Sequence, residues 1–121
     1  MRATYRMADE APLVDGGTVV LDTGETIDLS AILAVEGTRP ETVLVHRIGG
    51  RYLIAARGFL RAYLLEGGRA RDIPLGAAAR EVAIKTPLAS SCAKVSYDDK
   101  ALFIGQSGKH SFNRCPDEEA R

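Results

Sequence analysis

Tryptophan is missing from this chain of 121 residues, and aromatic residues make up only 6 % of it. An aromatic platform for stacking single-stranded nucleic acid is therefore not expected. Long apolar runs are missing too. Residues 1–12 hold no hydrophobic stretch and include Asp9 and Glu10, so neither a signal peptide nor a membrane anchor is expected there, and no membrane partner. Cysteine is scarce: Cys92 and Cys115 are too few for a disulfide framework. Without an export signal they read as free thiols of a cytoplasmic protein. Two histidines and two cysteines at positions 46, 92, 110 and 115 have no zinc-type spacing, so no metal is expected. No loop combines glycines with the Lys-Ser/Thr pair of a phosphate-binding Walker motif, and no cofactor is identified.

Lysine is absent between positions 47 and 80, where every basic residue is an arginine. That stretch sets Arg47, Arg51, Arg57, Arg61, Arg69, Arg71 and Arg80 against Glu66 and Asp72, a balance of +5. The first 46 residues set three arginines against eight acids, a balance of −5, and the remainder sums to zero. The formal neutrality of the whole chain thus conceals two oppositely charged segments. Arginine's planar fork grips phosphate or carboxylate at two points, whereas lysine acts as a mobile point charge. Exclusive arginine use points to an oxyanion partner. A solvated surface with compositional bias is the competing reading.

Apolar residues make up 45 % of the chain, which fits a globular domain. Residues 1–112 read as one small α+β domain and residues 113–121 as a polar, acidic tail. Short strands are expected over 18–22 and 26–29, then a short helix over 31–35 capped by Ser30 and ended by Gly37. Two strands over 42–48 and 51–55 are joined by Gly49-Gly50, a pair suited to a tight hairpin. Phe59, Leu60, Tyr63 and Leu64 recur at helical spacing, so 57–66 reads as a helix stopped by Gly67 or Gly68. A strand over 71–75 follows, with Pro74 near a sheet edge or strand end. A helical turn is expected over 76–80, and strands over 81–85, 94–97 and 101–104, the last two linked through Asp98-Asp99-Lys100.

The order hairpin, arginine-bearing helix, glycine stop and Ile-Pro strand resembles the core of the ParB/sulfiredoxin-like superfamily. The resemblance is carried by Val43 to Ala55, by Leu60-Arg61-Ala62 and by Asp72-Ile73-Pro74-Leu75, with Ile27 to Ile32 and Arg39-Pro40 upstream. It implies a small mixed sheet around a hairpin–helix–strand core. Where ParB-like proteins carry Gly-Glu-Arg-Arg and sulfiredoxins Gly-Cys-His-Arg, this chain has Ala56-Arg57-Gly58-Phe59. The acid and the reactive cysteine of those boxes are both gone. What the resemblance leaves is binding of a phosphate-bearing partner, a nucleotide or a nucleic-acid backbone, by Arg51, Arg57 and Arg61, with Gly58 leaving backbone open and Arg39 in support. On the expected helix Arg57 and Arg61 share one face near its positive end. A protein partner is left open.

Thr86-Pro87-Leu88-Ala89-Ser90-Ser91-Cys92, with His110 downstream, resembles cysteine–histidine glutamine deamidases of the chemoreceptor deamidase and cytotoxic necrotizing factor families. That resemblance implies Cys92 as nucleophile, His110 as its base and Thr86 beside them. Leu21-Asp22-Thr23-Gly24 resembles the signature of retroviral-type aspartic proteases, which share a proton between two paired aspartates.

Overall fold

Leu53, Ile54, Ala55 and Ala56 are all buried, and so are Ala62, Tyr63 and Leu64. Consecutive side chains of a strand point to opposite faces, so unbroken runs like these belong to strands covered on both sides. The structure, a computed structural model, describes residues 5–87, 92–112 and 114–116. The elements in chain order are β1 (Tyr5–Met7), β2 (Asp9–Val14), β3 (Thr18–Val20), β4 (Thr26–Asp28), helix α1 (Ser30–Glu36), β5 (Thr42–Ile48), β6 (Arg51–Ala55), β7 (Arg61–Glu66), β8 (Arg69–Pro74), β9 (Val82–Pro87), β10 (Ala93–Tyr97), β11 (Lys100–Ile104) and β12 (His110–Ser111).

The strands form two antiparallel sheets. One is a curled seven-stranded sheet of order β4-β3-β2-β5-β6-β7-β8, and the other runs β1-β9-β10-β11-β12. The chain changes sheet at Ala8, whose N–H donates to the Ile84 carbonyl at 3.0 Å between β1 and β2. Between the sheets lies one core, with Leu53, Ala55, Ala62, Leu64 and Ile73 facing Ile84, Val95, Leu102 and Ile104. The alternate residues of the central strands, Val43, Val45, Ile54 and Tyr63, face the other way. They meet Ile32 and Leu33 of α1, Val19 and the fully buried Phe59 in a second core.

The α+β expectation with its hairpin–helix–strand core is overturned: strands account for 52 % of the structure and helix for 9 %. The decisive difference is at 57–66. The spacing of Phe59, Leu60, Tyr63 and Leu64 fits a helix, but the same residues also fit a strand buried on both faces. Ala62 and Leu64 enter the inter-sheet core while Tyr63 enters the second. Gly67 and Gly68, with φ of 57° and 84°, turn a two-residue hairpin instead of stopping a helix. No helix forms over 76–80 either; Ala79 donates to the Phe59 carbonyl at 3.1 Å. The hairpin across Gly49-Gly50 and the helix ended by Gly37 in the left-handed conformation are as expected, although Ser30 begins α1 rather than capping it. Residues 88–91, within the deamidase-like stretch, and most of the expected tail over 113–121 lie outside the described residues. Among the described residues no helix is long and apolar enough to cross a membrane.

Candidate anion-binding site

Seven-stranded antiparallel pairing decides where each arginine goes. Arg51 opens β6 and Arg61 opens β7, and because these strands run oppositely the two guanidiniums stand at opposite ends of the β6–β7 pair. Arg61 reaches the Glu36 carboxylate on α1 at 3.3 Å and Asp72 at 3.6 Å. The Glu36 side chain is fully buried and also accepts the Tyr63 hydroxyl at 2.5 Å and the Leu60 N–H at 2.6 Å. Burial, and then the Glu36 carboxylate, push the Tyr63 hydroxyl up to about 12. Arg61 is therefore part of an internal polar cluster.

Arg51 is equally engaged. Its Nη1 donates to the carbonyls of Gly49 at 3.1 Å and Gln106 at 2.9 Å, and its Nη2 pairs with Glu66 at 2.9 Å. Arg51 holds the Glu66 carboxyl below the ordinary carboxylate range, chiefly by that hydrogen bond. The stem of Arg51 runs against the backbone of Gly108, where an added Cβ would lie 3.0 Å from Nε. Arg71 donates to the Gly108 carbonyl, so two arginines of the seven-stranded sheet hold the β11–β12 turn of the other. Arg47 stacks 5.8 Å from the Tyr52 ring centre and pairs with Glu25 at 3.9 Å. The two segments of opposite charge thus partly neutralise each other, since Glu25 and Glu36 belong to the acidic one.

Arg39, Arg57 and Arg80 behave differently. Arg57 donates from Nε to the Arg80 carbonyl at 2.9 Å, and the Gly58 N–H donates to the Ala79 carbonyl at 2.7 Å, so the loop after β6 lies along the loop before β9. Gly58 adopts φ of +86°, and a Cβ there would lie 3.9 Å from the Thr38 side chain, next to Arg39. All three arginines are exposed, and among the described residues none of them forms an ion pair. Beneath Arg57 opens a cleft of about 620 Å³ lined by Glu10, Glu41 and Glu81, with Leu44 and Val82. Its acidic wall would repel an anion from the interior.

No family model, curated protein or solved structure matches this chain. The site is accordingly read from its own chemistry. Of the arginine set expected from the sequence, Arg57 and Gly58 share a loop that meets Thr38, the neighbour of Arg39; Arg39 itself lines a separate cavity with Gly16 and Ser30, and Arg51 and Arg61 are directed elsewhere. Arg80 joins Arg57 through its carbonyl, and its place at the end of the arginine-only stretch is the signal that could have included it.

The residues of the deamidase resemblance have separate partners. Cys92 and Cys115 are joined in a disulfide with Cα atoms 5.8 Å apart, which corrects the reading of two free thiols and leaves Cys92 no thiolate while the bond stands. Ala93, Ile104 and His110 align across β10, β11 and β12, so His110 is two strands, about 10 Å, from the start of β10. Its ring meets Phe112 edge-on at 6.1 Å, and burial, then the Arg71 charge, lower its proton affinity. Thr86 Oγ1 lies 2.6 Å from His46 Nε2 in a buried polar pair. Asp22 and Gly24 form the β3–β4 turn, where the Gly24 N–H donates to the Leu21 carbonyl at 2.9 Å. Among the described residues no group of three His, Cys, Asp or Glu could hold a metal ion.

Proposed function

We propose that this protein is a small β module that binds a phosphate-bearing partner, a nucleotide or a nucleic-acid backbone, at the loop rim formed by Arg39, Arg57 and Arg80. One observation carries the reading: among the described residues three exposed arginines form no ion pair, and their loops adjoin, Arg57 meeting the Arg80 carbonyl and Gly58 lying beside Thr38, the neighbour of Arg39. The Arg80 carbonyl takes the Arg57 Nε–H and so restrains the fork, leaving its terminal donors for an oxyanion. Contacts of this type position a phosphate and read no base sequence. The cytoplasmic setting expected from free thiols loses that support, because disulfides persist chiefly in oxidising compartments.

Fluorescence anisotropy with a labelled DNA duplex tests the proposal, with ATP and inorganic phosphate as competitors. Three phosphate contacts imply a loss of about 40-fold in affinity between about 50 mM and 200 mM salt. Arg57→Ala should weaken binding and flatten that dependence. Competition by ATP, but not by phosphate, would assign the site to nucleotides. A salt-independent titration, or an Arg57→Ala variant that binds like the parent, overturns the reading.

A further inference from the structure

β8 ends the seven-stranded sheet, and five of its six residues are exposed. The two-residue turn at Gly67-Gly68 makes Glu66 and Arg69 the hydrogen-bonded pair that closes the hairpin. Bonded and non-bonded pairs alternate along an antiparallel ladder. Arg69, Arg71 and Ile73 therefore direct their backbone groups at β7, while Ala70 and Asp72 direct theirs outward. Pro74, the next outward position, has no N–H and ends the usable edge. Among the described residues, no backbone group of 69–74 has a partner outside this hairpin. A cavity of about 770 Å³ lies alongside, lined by Leu64, by the carboxylates Glu66 and Asp72 and by Arg69 and Arg71; Glu66 is engaged by Arg51 and Asp72 by Arg61.

Charge selects what could pair with this edge. Arg69 and Arg71 stand on one face of β8, two residues apart. Among the described residues the Arg69 side chain has no hydrogen-bond or ion-pair partner, and Arg71 uses one nitrogen on the Gly108 carbonyl. A second copy of β8 is a poor fit. In the three antiparallel registers that pair Ala70 and Asp72 among themselves, Arg71 faces Arg71, Arg69 faces Arg71, or Asp72 faces Asp72. Like charges directly opposite one another destabilise a strand pair. A strand with carboxylates at alternate positions meets both guanidiniums instead.

We infer that β8 is a docking edge for an extended acidic segment of a partner protein, which adds as an eighth strand with acidic side chains beside Arg69 and Arg71. This surface is at the Gly67-Gly68 end of the sheet, away from the Arg57 loops, and stands independently of the phosphate site.

The test uses the full chain with two labelled probes, an alternating valine–glutamate hexapeptide and its valine–lysine counterpart. The acidic probe should bind and slow amide exchange at Ala70 and Asp72, while the basic probe should not bind. Arg69→Glu should weaken the acidic probe about tenfold, the equivalent of about 1.4 kcal/mol. Ala70→Pro removes an outward N–H that β7 does not use and should abolish binding with the fold retained. If that variant does not fold, the charge reversal at Arg69 still decides the matter. Equal affinity for both probes, no binding of the acidic one, or parental affinity in Arg69→Glu overturns the inference.

Discussion

Arginines placed in strands and arginines placed in loops meet different fates in this molecule. In β5, β6, β7 and β8 the long side chains lie along a pleated surface and reach the next element, so Arg47, Arg51, Arg61 and Arg71 end on carboxylates or carbonyls. In the loops at 37–41, 56–60 and 76–81 the backbone carries the contacts, through Gly58, Ala79 and the Arg80 carbonyl, and the guanidiniums stay at the surface. The residue type is the same in both settings. What separates a structural arginine from an available one is whether its terminal nitrogens meet a fixed acceptor: Arg51, Arg61 and Arg71 spend theirs, whereas Arg57 spends only Nε. Arg69, at the hairpin end of an edge strand and without a side-chain partner among the described residues, is the exception among the strand arginines.

Removing a strand arginine should therefore cost stability and spare ligand binding. The largest effect is expected for Arg61→Ala, which leaves the buried Glu36 carboxylate without its cation. Loss of one partner of a buried ion pair is strongly destabilising, and the partial exposure of Arg61 moderates the cost here. Urea unfolding would show it, and an unchanged midpoint would break the comparison. Arg51→Ala comes next, at about 1–3 kcal/mol, because the Gly49 and Gln106 carbonyls lose their donor. Its affinity for duplex DNA should stay at the parental value, in contrast to Arg57→Ala, which should bind weakly and unfold like the parent.

The smallest effect is confined to alkaline conditions. The raised proton affinity of Tyr63 means that the folded state keeps its hydroxyl proton after the unfolded chain has lost it. That contribution is complete below the ordinary tyrosine range, near pH ~10, and is lost as pH climbs through about 12. Comparing unfolding of the parent and Tyr63→Phe over this interval should reveal a steeper decline in the parent. Parallel curves would remove Glu36 and Tyr63 from the set of coupled groups.

Punctuation by glycine was the legible part of the sequence. Gly37, Gly49 and Gly50 mark their turns because each adopts a positive φ that other residues avoid, and the strands around them were read correctly. β7 was not legible, since a segment covered on both faces shows neither clean alternation nor a clean helical stripe. β1 and β2 also escaped: Asp9, Glu10 and Pro12 mask the pattern, and their partners, β9 and β5, lie far along the chain. At the candidate site, Arg39, Arg57 and Gly58 were identifiable as residues. The capture of Arg51 and Arg61 was not, because local spacing says nothing of Glu66 folding back across a hairpin or Glu36 descending from a helix. The bridge between Cys92 and Cys115, 23 residues apart, was hidden for the same reason.

A methyl group at Gly49 would collide with the Gln106 carbonyl, and one at Gly108 would press on the Arg51 stem, so the hairpin tip of one layer is seated in the hairpin tip of the other. Neither tip is finished until both are in place. The molecule is in this respect less a stack of two leaves than a single latch, and in a domain of this size both layers are expected to unfold together.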